Sequence, residues 1–117
     1  MEKREKKASY FYVLSCKDGT LYGGYTTDLD RRLKEHNTGT GAKYTRPIYR
    51  RPVRMIYAEK YASRSAATKA EAAFKKLTRK NKENYLKKNG VTIPLKDQLK
   101  RITINREEST YADAEKF

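Results

Sequence analysis

The chain alternates between two hydrophobic periods, and each change of period marks an element. Ser9–Cys16 (SYFYVLSC) is rich in aromatic and β-branched residues and predicts a strand. Lys17-Asp18-Gly19 is a turn signal and Thr20–Tyr25 predicts a second strand, so the two form a hairpin. Two turns are open to it. A two-residue Asp18-Gly19 loop sets Tyr12 opposite Tyr25 and puts Tyr22 on the other face. A three-residue loop with a left-handed Gly19 pairs Cys16 with Thr20 and Leu14 with Tyr22, and Tyr12 and Tyr22 then share a face. A slip of one residue exchanges the faces.

From Leu29 the period lengthens to that of a helix. Thr27 or Asp28 caps it, Asp30 stands near the capping-box position, and Asn37 and Gly39 stop it after about His36. Thr38–Tyr49 (TGTGAKYTRPIY) is glycine- and threonine-rich and predicts a loop. Val53–Tyr61 predicts a third strand. Ser63 or Ser65 caps a second helix with the inward stripe Ala67, Ala70, Glu71, Phe74 and Leu77. Arg79–Asn89 predicts a third helix, docked by Tyr85 and Leu86 and ended by Gly90. The tail from Val91 is weakly patterned. Ile102-Thr103-Ile104 alternates like a short strand, and the remainder of the tail is expected to be loose. The order β-β-α-β-α-α is α+β. Length predicts one domain, residues 9–90, between a disordered basic N-terminus (1–8) and a tail (91–117) that is partly ordered at most.

Composition narrows the function classes. Hydrophobic residues are 37% and charged residues 36%, so the core is modest and much of the chain is solvated surface. Nothing approaches the ~20 apolar residues of a membrane span, and MEKREKK lacks a signal-peptide apolar region, so the expected location is cytoplasmic with no membrane partner. The lone Cys16 excludes an internal disulfide and a multi-cysteine zinc site, and reads as a small core residue. Lysine and arginine number 28 against 14 acids, a formal charge of +14. Val91–Phe117 holds five basic and five acidic residues, so residues 1–90 carry the whole excess. A compact domain with that excess calls for a polyanion, nucleic acid first.

The candidate chemistry lies where charge interrupts apolar stripes. On the first helix, the positions three and seven beyond Leu29 are Arg32 and His36, the only histidine. Arg32 is a snorkelling side chain, a salt-bridge partner or a phosphate ligand; His36 is a capping or half-buried group or part of a site. Glu71 puts a carboxylate on an alanine-lined face, where it must be paired, with Arg32 for example, or bound to a cation. As a hard oxygen donor it suits Mg²⁺ or Mn²⁺, with water and phosphate completing the shell. Lys43, Tyr44, Arg46, Arg50 and Arg51 interleave cations with aromatics on the loop. With Lys75, Lys76 and Arg79 they form the candidate nucleic-acid contacts. Tyrosine, arginine, histidine and one carboxylate make an intelligible phosphodiesterase.

These residues resemble the GIY-YIG nuclease family, in particular its small single-domain bacterial group, over about Ser9–Asn89. Tyr10-Phe11-Tyr12 stands for the first motif, without its Gly and Ile, and Tyr22-Gly23-Gly24 for the second. Arg32 follows ten residues after Tyr22, His36 four later, and Glu71 lies in AEAAFKKLTRKNK. Tyr25 stands where the larger excision-repair relative has lysine, and Asn84 is the nearest match to a late carboxamide ligand. The resemblance implies a three-stranded antiparallel sheet flanked by helices. It also implies Mg²⁺- or Mn²⁺-dependent hydrolysis of DNA to a 5′-phosphate and a 3′-hydroxyl. Glu71 would then hold the metal and Arg32 the scissile phosphate, with Tyr12, Tyr22 or His36 as the base.

The expected activity is that of a DNA endonuclease of low sequence specificity or structure selectivity, in repair or processing. The neutral tail offers no separate DNA-binding domain, so targeting falls to the basic loop, the basic helix or a partner protein. The alternative is a non-catalytic nucleic-acid-binding module, associated with RNA or the ribosome.

Overall fold

The structure is a computed structural model that describes residues 8–107. The expectations for residues 1–7 and 108–117 lie outside the described residues. Four strands and three helices run β1 (Ser9–Ser15), β2 (Leu21–Thr26), α1 (Leu29–Thr38), β3 (Arg54–Tyr61), α2 (Arg64–Lys75), α3 (Arg79–Lys88) and β4 (Ile102–Asn105). Single 3₁₀ turns stand at Lys43–Thr45, Ile48–Arg50 and Leu95–Asp97.

The hairpin adopts the three-residue turn. Cys16 N–H donates to Thr20 O at 2.9 Å, Gly19 N–H donates to Cys16 O at 2.9 Å, and Gly19 has φ +89°. Tyr12 lies opposite Gly24 and Leu14 opposite Tyr22. Tyr12 and Tyr22 therefore share a face. The Asp18 carboxylate closes the turn on Thr20 and receives Arg50 Nε at 3.0 Å.

The sheet corrects the three-stranded antiparallel expectation. It has four strands in the order β2-β1-β3-β4, and β4 runs parallel to β3. The added strand comes from the tail. Ile102 and Ile104 pack on the core cluster beside Tyr57 and Val91, while Thr103 and Asn105 are exposed. Arg106 N–H continues the ladder onto Lys60 O at 2.8 Å. Pairing along β3 satisfies backbone groups that a three-stranded sheet would leave on an edge.

Two apolar clusters share the sheet. Phe11, Val13, Ile56, Tyr57, Ala67, Phe74 and Leu86 fill one face beneath α2 and α3. Phe11 is edge-on to Tyr57 at 6.4 Å and 5.3 Å from Phe74. Burying each such side chain contributes about 1.5–3 kcal/mol. Tyr12, Leu14, Cys16, Leu29, Val53, Met55 and Ala58 form the second cluster, joined by Leu33 of α1 and Tyr44 of the loop. Cys16 sits there as a buried free thiol. One cap from each predicted pair is used, α3 has a cap not read from the sequence, and α1 runs two residues past His36. Asp28 caps α1, Ser63 caps α2 and Thr78 caps α3, each accepting an N–H in the first turn. Gly39 (φ +86°) ends α1 and Gly90 (φ +102°) follows α3. Among the described residues no helix is long and apolar enough to cross a membrane.

Candidate active site

The site is assembled around the Tyr12 hydroxyl. Tyr12 is fully buried, because its ring lies over Gly24 on the neighbouring strand. A Cβ at Gly24 would stand 2.4 Å from the Tyr12 hydroxyl oxygen. That hydroxyl is 2.7 Å from His36 Nε2 and receives Arg32 Nε–H at 3.4 Å. Arg32 and His36 project together because four residues make about one helical turn. His36 is also fully buried, with Nδ1 2.7 Å from the hydroxyl of Thr45. A Cβ at Gly41 would come within 2.8 Å of that nitrogen, so the glycine lets the loop close over the ring.

One tautomer satisfies every group along this chain. The Thr45 hydroxyl donates to Ala42 O at 3.2 Å, which leaves its oxygen to accept His36 Nδ1–H. His36 Nε2 is then the acceptor, and Tyr12 donates to it. Burial holds His36 down to about 4, and the Arg32 charge adds to the effect, so the imidazole is neutral at pH 7. Burial pushes the Tyr12 phenol up to about 12, against the opposing pull of the Arg32 hydrogen bond. Glu35 accepts from Arg32 Nη1 at 3.0 Å and from Arg31 Nη1 at 3.2 Å, and the Arg32 hydrogen bond holds Glu35 below the usual carboxylate range.

Tyr22 forms the open side. Its ring meets His36 edge-on at 5.5 Å and stacks on Tyr44 at 5.7 Å. Arg50 lies over Tyr44 at 3.9 Å and Lys75 Nζ over Tyr22 at 5.3 Å, so two cations close the ends of the stack. The same Lys75 ammonium donates to Glu71 Oε2 at 2.8 Å. Glu71 thus reaches the site from α2 around the β2 edge, and its charge is among the influences that raise Tyr12. The Glu71–Arg32 pair considered from sequence is not the arrangement found, since Lys75 and Glu35 take those places. Gly23 and Gly24 make room for Phe74 and Tyr12 rather than for a ligand.

The candidate nucleic-acid contacts divide into two kinds. Lys43, Arg46 and Lys76 are exposed, Lys43 and Lys76 standing next in sequence to Tyr44 and Lys75. Arg50 binds Asp18 and donates to Tyr44 O at 3.0 Å, and Arg51 donates to Arg46 O at 2.7 Å, so these two hold the loop in shape. Arg79 joins Glu83 and Gly19 O, each at 2.8 Å. Asn84 is exposed on α3.

Two features escaped the sequence. Thr45 stands in a stretch read as a plain loop, and one threonine there carries no signal. The second is Glu59, fully buried on the α2/α3 side of the sheet. It accepts from Tyr57 at 2.6 Å, Tyr61 at 2.5 Å and Tyr85, with Arg106 at 3.4 Å. The alternation Tyr57-Glu59-Tyr61 does place three polar groups on one face of β3.

Glu71 is a partly exposed, hard oxygen donor held by a lysine that can leave it. Among the described residues no three His, Cys, Asp or Glu side chains converge. A single carboxylate fits an ion such as Mg²⁺, whose remaining positions go to water and phosphate.

The structure thus brings Tyr12, His36 and Arg32 into one hydrogen-bonded group near the Glu71 carboxylate, on an α+β scaffold. The GIY-YIG catalytic domain model matches residues 8–84, and the chain belongs to the GIY-YIG family. That superfamily consists of nucleases, and they generally depend on divalent metals. Relatives of this chain include small bacterial proteins designated UPF0213. One from Enterococcus faecalis is 72% identical over 82 residues, 70% of this chain and 93% of that protein. Another, from Listeria welshimeri, is 62% identical over 77 residues, 66% of this chain and 83% of that protein. A solution structure of a UPF0213 protein from Bacillus halodurans superposes with TM-score 0.50 at 40% identity, covering 81% of this chain and 99% of that one.

Proposed function

We propose that the chain is a metal-dependent endonuclease that hydrolyses DNA phosphodiester bonds with low sequence specificity or by recognising structure. The observation that carries this is the hydrogen-bonded chain from Arg32 through Tyr12 to His36 and Thr45, next to the Glu71 carboxylate. A binding module needs neither a neutral buried histidine aligned to accept a tyrosine proton nor a carboxylate facing bound phosphates.

Roles follow from exposure. Tyr22, Arg32 and Glu71 are partly exposed and meet the substrate; Tyr12, His36 and Thr45 stand behind them. Arg32 turns from Glu35 to a non-bridging phosphate oxygen and neutralises charge that grows there. Lys75 leaves Glu71 for the phosphate. Glu71 would then hold Mg²⁺ or Mn²⁺, which when bound polarises the phosphate and stabilises the leaving oxygen. Tyr22 orients the attacking water. The water's proton passes to the Tyr12 oxygen as Tyr12 gives its own to His36 Nε2, so histidine is the final base and tyrosine the relay. The order avoids a free tyrosinate, which burial disfavours, and ends on an imidazole that is neutral at pH 7 and so free to accept a proton, although the same burial makes it a weak base.

The test is cleavage of branched, nicked and single-stranded DNA, with RNA in parallel, in Mg²⁺ and in chelator. Metal-dependent cleavage of DNA, abolished in Glu71→Gln, is the expected result. Binding without cleavage of any substrate would favour the non-catalytic module, and preference for RNA would move the substrate class.

A further inference from the structure

A second cationic site stands at the hairpin end of the sheet, away from Tyr12 and Glu71. It is a cavity of about 470 Å³ whose nine lining residues include Lys17, Arg54, Arg79 and Lys96 and no acid. Cys16, Pro52 and Leu95 supply an apolar floor. Arg54 is fixed at the cavity wall by carbonyls, donating to Gln98 O at 2.6 Å and Leu95 O at 2.9 Å, and these neutral acceptors leave its charge uncompensated there. Arg79 is pinned to Gly19 O at 2.8 Å, with Glu83 on its Nε. Asp18, the acid next in the turn, is committed to Thr20 and Arg50. Lys17 and Lys96 are exposed at the rim. Cations on a low-dielectric floor focus a positive field. Leu95 and Lys96 lie beyond residue 84, where the family match ends, so the tail helps to build the wall.

We propose that this cavity binds a backbone phosphate of the nucleic acid at a distance from the cleaved bond. The proposal rests on the nuclease reading only in naming the ligand's source. Cys16 directly follows β1, four residues beyond Tyr12, and belongs to the same cluster. At ~3.3 Å per residue the separation is about 13 Å along the strand, or about four base-pair rises of duplex DNA. A duplex that meets Arg32 at one point and the cavity at another would span about that distance across the surface. Two anchors fix its direction, which one phosphate site cannot.

The experiment is a metal-free titration of the ¹⁵N-labelled full chain, with a short DNA duplex in one arm and inorganic pyrophosphate in the other. The duplex is expected to move the amide signals of Lys17, Gly19 and Lys96. Lys17→Glu/Lys96→Glu, changed at two exposed positions, is expected to weaken duplex binding about tenfold. It should also lower the slope of log affinity against log salt by about two. Unmoved signals, or a double variant that binds as tightly as the native chain, overturn the proposal. Pyrophosphate moving these signals where the duplex does not overturns the nucleic-acid source and leaves a free phosphate ligand. Because the titration is metal-free, its shifts do not depend on cleavage: the expected shifts together with no cleavage of any substrate in Mg²⁺ would sink the nuclease reading alone and sustain this one.

Discussion

His36 shows how a single side chain can be legible in type and illegible in environment. Its position on the apolar stripe of α1 marked it, as with Arg32, because a polar group there has to be explained. Its partner Thr45 and the glycine that admits it, Gly41, come from a loop without periodicity, so no pattern could have announced them. Burial depresses its folded pKa to about 4 from an ordinary 6.5. The unfolded chain then binds a proton between those values that the native chain refuses. Stability from this group is complete above about pH 6.5 and is lost as pH falls towards 4. At pH 4.5 the loss relative to pH 7 is about 2–3 kcal/mol. Denaturant unfolding at the two pH values should show it in the native chain and show it largely removed in His36→Gln. Gly24 supports a second test. Gly24→Ala forces the Tyr12 ring off the strand, costs about 1–3 kcal/mol and lengthens the Tyr12–His36 bond. A changed His36 Nε2 signal in ¹⁵N spectra, with a lowered midpoint, checks both effects. A stability within ~0.5 kcal/mol of native would contradict the contact.

Among the elements, those with a strong period were read closely from sequence, and β4 was not. The hairpin, α1, β3, α2 and α3 each carry a cap, turn or alternation of their own. Four residues of alternation in a polar tail give only weak local evidence, and their strand character comes from pairing with β3. The Glu59 cluster explains why that pairing holds. Arg106, one residue past β4, reaches Glu59 at 3.4 Å and Asn89 at 2.8 Å, which ties the tail to β3 and α3 together. Glu59→Ala would leave three buried or half-buried phenols and a guanidinium without their shared acceptor. The expected cost is about 3–5 kcal/mol, with Glu59→Gln costing less because it keeps an acceptor oxygen. Amide exchange should speed at Ile102–Asn105 in Glu59→Ala more than in β1. Equal protection of β4 in both variants would show that the cluster does not hold the tail.

For the whole molecule, the charge total read from sequence predicts a polyanion partner but not where it lies. The fold answers part of that question. The catalytic candidates gather beside the β2 edge, and Lys43, Arg46 and Lys76 are exposed, while Arg50 and Arg51 are spent on loop structure. Sequence alone could not separate these arginines, because their carbonyl and carboxylate partners lie elsewhere in the chain. The distinction has a thermodynamic signature. An arginine that meets a phosphate releases a counterion, and each such contact adds about one to the slope of log affinity against log salt. Lys43→Ala and Arg46→Ala are each expected to weaken DNA binding across all sequences and to lower that slope by about one. Arg50→Ala should behave differently. It strips Asp18 and Tyr44 of their partner, so it lowers the unfolding midpoint, which the other two leave within ~0.5 kcal/mol. Salt titrations of the three variants, alongside their melting, separate phosphate contact from scaffold. A slope change in Arg50→Ala as large as in Arg46→Ala, with unaltered stability, would return Arg50 to the nucleic-acid interface.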